Sequence, residues 1–498
     1  MGWNPSQDIL QAYYRFVVLF FNCMLTFGTA FCFDMPSVLQ AIFQGNITCI
    51  NATTYGNSSD CVEGLGMTPN QYNLLYAIYA WTNAIVVIAA GFLIDKLGNQ
   101  VGLFLFSGLC LIGSSTFAGG AMLKGTKAML PMMLIGRLIF GSGNGSLIIV
   151  RNRITAYWFK DKELAFAFGV TLTFVRLGSV LNFLLTKSIE DKVGLTWVLW
   201  GGAFLCALGF TSAIVTSILD IYGVRQLGQE SNVKQSSKKL HFSDIRYFNS
   251  SYWLVVLTIM FFYNGVFPFM ADASKFIHDK YGFKEESPVP SYLVGAVFDV
   301  SLVLCVLLGA LIDIIGMRGL LALFCSVATI PVFGLLAFTH IYPLVSTLWL
   351  GFTYSIASAT LWSSIPLVVT QETVGMAMGF ATSAQMIGVG ICNNVIGAIL
   401  GNKNTPLPHD ELMKRWKYVM IFLFANTLCC VVTAILLNLS DKRKGCILNQ
   451  NRRERREGMA LLMPSVATDD GSGNSTLAMN EAKPLLHSPD LGRPTQLK

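Results

Sequence analysis

Four ionisable side chains fall inside long apolar runs of this chain: Asp34, Arg137, Arg176 and Asp299. Arg176 is the most isolated of them. No other charge lies between Glu163 and Lys187, and its surroundings read TLTFVRLGSVLN. A charge at the centre of a hydrocarbon layer costs about 2.5 to 3.5 kcal/mol on insertion scales, so it persists only when it is paired or faces water. A guanidinium held there is suited to gripping a carboxylate. Arg176 lies about 13 residues, roughly 20 Å, into its run. Asp299 lies about nine residues into its own run from the opposite side, at nearly the same depth. The two are expected to face one central cavity and to pair. The pair serves either as a static staple or as a switch that a substrate carboxylate opens. Asp34, two residues before Pro36, reads as a helix-end residue. Arg137 lies in GRLIFGSG (136–143) and reads either as an organiser that bonds to neighbouring backbone or as a substrate contact.

The elements that must position these groups are membrane helices. The chain has 498 residues, of which 53% are hydrophobic and 13% charged, with a mean hydropathy of +0.55. A soluble domain carries about a quarter charged residues, so much of this surface faces lipid. Twelve apolar runs begin near Phe16, Leu74, Val101, Ala128, Leu164, Thr196, Ser251, Ser291, Gly319, Leu344, Val374 and Lys417. Each is near the ~20 residues that a helix needs to cross a bilayer. Backbone groups in lipid must be satisfied internally, and the alternation of a β-barrel is absent, so the fold class is all-α with twelve transmembrane helices. The first run continues directly into FDMPSVLQ and reads as a retained span rather than a cleaved leader. The expected organisation is a short terminus 1–15, a six-helix half 16–221 with an external loop at about 43–72, a linker 222–250, a second six-helix half 251–439, and a disordered tail 440–498.

Charge sets the orientation. Lys96, Arg151, Arg153, Lys160, Lys162, the stretch Arg225 to Arg246, Arg318 and the cluster DKRKGCILNQNRRERR fall on one side. By the positive-inside rule that side, with both termini, is cytosolic. The first loop agrees: NITCINATTYGNSSDC carries sequons at Asn46, Asn51 and Asn57 and no Lys or Arg. Cys49 and Cys61 in that loop either form a disulfide or remain free; the other ten cysteines read as thiols. The net charge of +7 sits in loops and tail and signals no nucleic acid.

The chain repeats itself after six spans. GFLIDKLGNQ (91–100) and GALIDIIGMR (309–318) share G-x-L-I-D-x-x-G, and AFGVTLTFVRLGSVLN matches AMGFATSAQMIGVGIC with Gly169 aligned to Gly379 and Gly178 to Gly388. Gly91, Asp95 and Gly98, echoed by Gly309, Asp313 and Arg318, suit a tight loop and a latch between halves that is made in one access state and broken in the other. With the fourth-span motif around Arg137, these stretches resemble the major facilitator superfamily, which implies two pseudo-symmetric six-helix halves. FGTAFCFDMPSVLQ, LLYAIYAW, AGFLID, WFKDKELAFAFG, VFPFMADASKF, KYGF and ATLW are more specific and resemble the lysosomal dipeptide uniporters over residues 15–440. The resemblance implies that Arg176 grips a peptide carboxylate. It also marks departures: Gly145 stands where that family has a glutamate for the amino group, Ala30 and Phe33 where it has tyrosines, and Asp299 where it has no acid. Asp299 is the expected substitute for the missing charge. The resemblance further implies a glycosylated accessory membrane protein and a homodimer.

Trp81, Tyr263 and Trp362, with Asn182 and Gln385, read as either cavity lining or helix packing. Pro268 in GVFPFMADASK is expected to break the seventh helix beside Tyr263 and supply a hinge. The tail carries two acidic dileucine signals, EGMALL with Glu457, Leu461 and Leu462, and EAKPLL with Glu481, Leu485 and Leu486, suited to a clathrin adaptor groove. Cys446 is a candidate palmitoylation site. There is no P-loop, dinucleotide fingerprint or metal-spaced Cys/His set, so neither a cofactor nor an enzyme is expected. The reading is a transporter of small carboxylate-bearing solutes, dipeptides first, in the lysosomal membrane. The alternatives are a proton-coupled organic-anion or sugar-type carrier, and a non-transporting receptor or escort protein on the same scaffold.

Overall fold

The computed structural model describes residues 5–47, 63–159, 164–226, 248–283, 287–369, 373–401 and 408–450. Twelve long helices follow one another: α1 (Pro5–Val38), α2 (Pro69–Leu97), α3 (Asn99–Met122), α4 (Met129–Trp158), α5 (Leu164–Val193), α6 (Leu195–Gln226), α7 (Ser250–Tyr281), α8 (Val289–Ile315), α9 (Arg318–Phe338), α10 (Pro343–Val368), α11 (Val374–Leu400) and α12 (His409–Arg443), with a short turn of helix at Gln40–Gln44. Among the described residues, eleven are long and apolar enough to cross a membrane; α8 contributes a shorter apolar stretch, Val289–Cys305. Local sequence sets individual ends. At the start of α2, Pro69 needs no N–H partner, and Thr68 and Gln71 exchange reciprocal bonds of 3.1 and 3.0 Å in a capping box.

The repeat is visible in the packing. α1 packs on α5 and α6, α2 on α4, and α3 on α4 and α6; in the second half α7 packs on α11 and α12, α8 on α10, and α9 on α10 and α12. Adding six to each helix number converts the first set into the second. Between the halves α2 meets α11 and α5 meets α8, a pairing that the same operation exchanges. Small residues permit the closest approaches. A Cβ on Gly178 of α5 would stand 2.7 Å from the Phe27 carbonyl oxygen of α1, and one on Gly388 of α11 would stand 2.5 Å from the Asn264 side chain of α7. The aligned loop glycines behave alike too: Gly98 and Gly316 have φ of +88° and +73°, a region that side-chain-bearing residues rarely enter.

α7 is the most enclosed helix, whereas α6, α9 and α12 turn large apolar side chains such as Trp197, Phe204, Phe324 and Leu439 outward. Lipid is the solvent that accommodates such a surface.

The helices depart from five expectations. α7 runs unbroken through Pro268. Losing one backbone hydrogen bond does not break a helix that is packed against α1, α8, α10, α11 and α12. Asp34 is not at a helix end, because α1 continues past Pro36 to Val38. Arg151 and Arg153 belong to α4 rather than to a loop, and Arg151 is buried, donating 2.8 Å to Thr26 Oγ1. The tail does not leave the bundle at 440: α12 extends to Arg443, Leu448 is buried, its carbonyl accepts from the Arg318 N–H at 3.0 Å, and Asp441 accepts from the Leu448 N–H at 3.0 Å. The terminal helix α1 likewise begins at Pro5, ahead of residue 16. Asn51, Asn57, Cys49, Cys61, most of the linker, and Glu457, Leu461, Leu462, Glu481, Leu485 and Leu486 lie outside the described residues.

Candidate functional site

Arg176 projects from the middle of α5 toward the seam with the second half. Its Nη1 donates 2.5 Å to the Tyr354 hydroxyl of α10, and its guanidinium carbon lies 4.4 Å from the Tyr354 ring centroid and 5.8 Å from that of Phe298 on α8. Stacking on an aromatic face and one hydroxyl bond both favour the cation. Tyr354 in turn touches Tyr263 (ring centroids 5.8 Å apart), and the Tyr263 hydroxyl accepts from Trp362 Nε1 at 2.9 Å. Three expected site residues, Arg176, Tyr263 and Trp362, thus meet in one cluster. Tyr354 joins them although the sequence reading passed over it. Its signal was its position eight residues before Trp362, on the i, i+4, i+8 stripe of the same helix.

Asp299 does not join. Among the described residues it makes no ion pair, and the expected bond to Arg176 is absent. The reason is angular. Phe298 occupies the face toward Arg176, and the next residue on a helix is turned by about 100°. Depth alone had matched them.

A second acid, inside the first half, is Asp34 of α1. It is buried, 5% exposed, and among the described residues it forms no ion pair with Arg176 or Arg137. Arg137, also buried, is boxed by the rings of Tyr76, Phe117 and Phe140 at 5.4, 4.9 and 6.0 Å and donates 3.4 Å to the Phe33 carbonyl. It is a structural cation of the first half, tied to the backbone of α1.

The other expected positions scatter. Asn182 is buried with its Oδ1 accepting from Thr186 of the same helix at 2.7 Å. Trp81 packs its indole nitrogen over Gly390, so it serves the α2–α11 contact. Gln385 is buried on α11. Gly98 and Arg318 stand as described; Gly91 and Asp95 fall within α2 and Gly309 and Asp313 within α8, their side-chain environment lying outside what the structure describes. Position 145 is closed: a Cβ there would stand 1.9 Å from Asn83 Oδ1. A neutral group of Asn83, Asn144 and Tyr79 fills that place, with Asn144 donating 2.8 Å to the Tyr79 hydroxyl.

A second polar cluster joins the halves on the face opposite the termini. Asp272 of α7, 2% exposed, accepts from Gln40 at 2.5 Å and from Asn73 at 3.4 Å. The Tyr72 hydroxyl donates 2.7 Å to the Ala271 carbonyl, Ser37 donates to the Met270 carbonyl, and Lys275 donates 2.5 Å to Gln44. Between described residues, every side-chain hydrogen bond that crosses from one half to the other lies on this face or, for Arg176, at mid-depth. No expectation singled out Asp272, although it stands in the quoted stretch VFPFMADASKF.

Twelve helices with a six-step repeat and a charged seam have a known counterpart. The sequence profile of the Major Facilitator Superfamily matches residues 16–393. The chain belongs to the major facilitator superfamily. Superfamily members are transporters, not enzymes. This member is 28% identical over 469 residues to the lysosomal dipeptide transporter MFSD1 of Danio rerio, covering 91% of this chain and 93% of the relative. It is 28% identical over 458 residues to the Homo sapiens protein of the same name, covering 89% and 90%. Its fold is shared with the nucleoside transporter NupG (TM-score 0.63, 11% identity, 84% of this chain and 99% of that one). The D-xylose-proton symporter shares it as well (TM-score 0.59, 15% identity, 86% and 97%). As a superfamily transporter it works in a lipid bilayer on a small-molecule substrate.

Proposed function

We propose that this transporter moves dipeptides out of the lysosome as a uniporter, its two halves rocking about the seam that holds Arg176. The observation that carries the reading is the state of that guanidinium. It donates to Tyr354 and to no other described residue, whereas its planar fork offers five N–H groups. A carboxylate takes two of them in one geometry. The likeness to lysosomal dipeptide transporters along nine-tenths of the chain supports a peptide as the bearer of that carboxylate. Because Tyr354 rather than Asp299 holds the arginine, no acid has to be displaced when the carboxylate arrives. That supports uniport over a proton-coupled cycle.

The same reading puts both termini in the cytosol and glycans on Asn46, Asn51 and Asn57. It gives the dileucine segments to a clathrin adaptor and takes a glycosylated accessory membrane protein and a homodimer as partners. In that orientation the face joined through Asp272 is luminal, and the described arrangement is shut toward the lumen.

Flux in proteoliposomes tests the proposal. Wild-type protein should carry a free dipeptide and reject its C-terminal amide. Arg176→Ala should lose at least ~30-fold, since truncating one partner of a buried charged contact costs about 2–5 kcal/mol. Arg176→Ala flux equal to wild type would sink the reading.

A further inference from the structure

Two arginines of α4, Arg137 and Arg151, are buried, and among the described residues neither has a carboxylate within ion-pair distance. Arg151 is held by neutral oxygens instead. It donates 2.8 Å to Thr26 Oγ1 from Nη1, and 3.3 and 3.0 Å to Asn152 Oδ1 from Nε and Nη2. Arg137 is not held in that way. Among the described residues its one hydrogen bond, to the Phe33 carbonyl, is 3.4 Å long, and its Nε has no partner. The rings of Tyr76, Phe117 and Phe140 attract the cation, yet a ring accepts an N–H only weakly. A guanidinium 3% exposed thus keeps most of its donors unused and no anion in contact, a state that a low-dielectric interior penalises heavily.

Arg137 also lines a cavity bounded by α1, α3, α4 and α6, all of the first half. The free space is about that of one or two waters, too little for a dipeptide. The helices cannot close on it, because at Gly113 and Gly136 α3 and α4 already touch. A Cβ on Gly113 would stand 2.4 Å from the Phe140 nitrogen, and one on Gly136 would stand 2.6 Å from the Phe117 nitrogen. Met35, Phe117 and Leu199 give the chamber apolar walls, and its lining holds no second cation. A monatomic, monovalent anion fits these terms. It is small enough to enter, sheds its water readily, and needs only one positive charge. Phosphate would need more room and a second cation. Met35, Phe117 and Leu199 lie within about two turns of the ends of α1 and α3 and the start of α6, so the chamber is near the face opposite the termini.

We propose that this chamber binds one halide ion, chloride in physiological media, as the counter-ion of Arg137. The site is separate from the seam that holds Arg176 and does not depend on which solute is carried. Its walls all belong to the first half, so the ion braces that half as a unit. A ligand that binds the folded chain alone raises its stability with concentration.

Thermal unfolding of the purified full-length chain in nanodiscs tests the assignment, in sodium chloride, bromide and gluconate at equal ionic strength. Gluconate is too large for the chamber. Chloride and bromide should raise the midpoint by at least ~2 °C over gluconate, with a dependence on concentration that saturates. Arg137→Met, which keeps the length and removes the charge, should abolish the difference between salts. Leu199→Phe fills the chamber from α6 and leaves the arginine in place. It should abolish the difference too, so the test stands where Arg137→Met fails to fold. Equal wild-type midpoints in the three salts overturn the assignment. A halide shift that survives in Arg137→Met or, failing that variant, in Leu199→Phe overturns it as well.

Discussion

The first half carries three charges inside its helices: Arg176 near the middle of α5, Asp34 on α1 and Arg137 on α4. The aligned repeat places Met386 on α11 where α5 has Arg176, and the second half contributes Tyr263, Tyr354, Trp362 and Phe298 at the seam. The helix contacts of the two halves correspond pair for pair, and so do the positive-φ loop glycines Gly98 and Gly316. Their centres do not. One half supplies charge and the other an aromatic wall with a hydroxyl to hold it. The frame lives in what the repeat preserved, and the substrate site lives in what it lost. A guanidinium stacked on rings from the opposite half also ties substrate capture to the seam that must move.

That contrast can be broken from either side. The largest effect should come from Tyr354→Phe, which keeps the ring over Arg176 and removes the hydroxyl that accepts from it. A hydrogen bond to a charged group is worth about 1.5–3 kcal/mol, so dipeptide affinity should fall roughly tenfold or more. Met386→Leu, at the matching place in the other half, should leave binding within twofold. Equal effects of the two would remove the asymmetry. Next come the paired glycines. Gly178→Ala drives a methyl against the backbone of α1, whereas Gly388→Ala meets only side-chain atoms, the amide end of Asn264 and Cγ of Met260. Overpacking costs about 1–3 kcal/mol, so thermal unfolding should show the larger drop for Gly178→Ala. The reverse order would mean that α1, not α7, is the compliant helix. The smallest effect is expected from Asp299→Asn, which should leave transport within twofold. A larger loss would return Asp299 to the site.

Much of this was legible in the residues, and the parts that were not share a cause. Apolar runs of bilayer length announced the helices, and the G-x-L-I-D-x-x-G echo announced the halves. One arginine in a long uncharged run announced itself. Asp299 misled because depth along a helix follows from counting, whereas the direction a side chain faces depends on the neighbours that pack on it. Asp34 was misread because Pro36 looked like a stop, and a proline inside a packed membrane helix is tolerated. Tyr354 was passed over because a tyrosine in a membrane span has no unusual cost. Its value appears only once α10 is set against α5. Asp272 was missed near the end of a span, where an acid is cheap.

The cluster around Asp272 has a thermodynamic consequence for the working cycle. A carrier needs its two arrangements to lie within a few kcal/mol of each other, or one would be too rarely populated to turn over. Water replaces a hydrogen bond nearly evenly, so each bond between Asp272, Gln40, Asn73, Tyr72, Ser37, Lys275 and Gln44 holds the seal by only about 0.5–1.5 kcal/mol net, somewhat more where a charge takes part. An apolar plug of the same width would resist parting far more. A wet seal also changes trade when it parts: the amides, hydroxyls and charges that closed the mouth become its hydrated lining, ready to receive a polar solute.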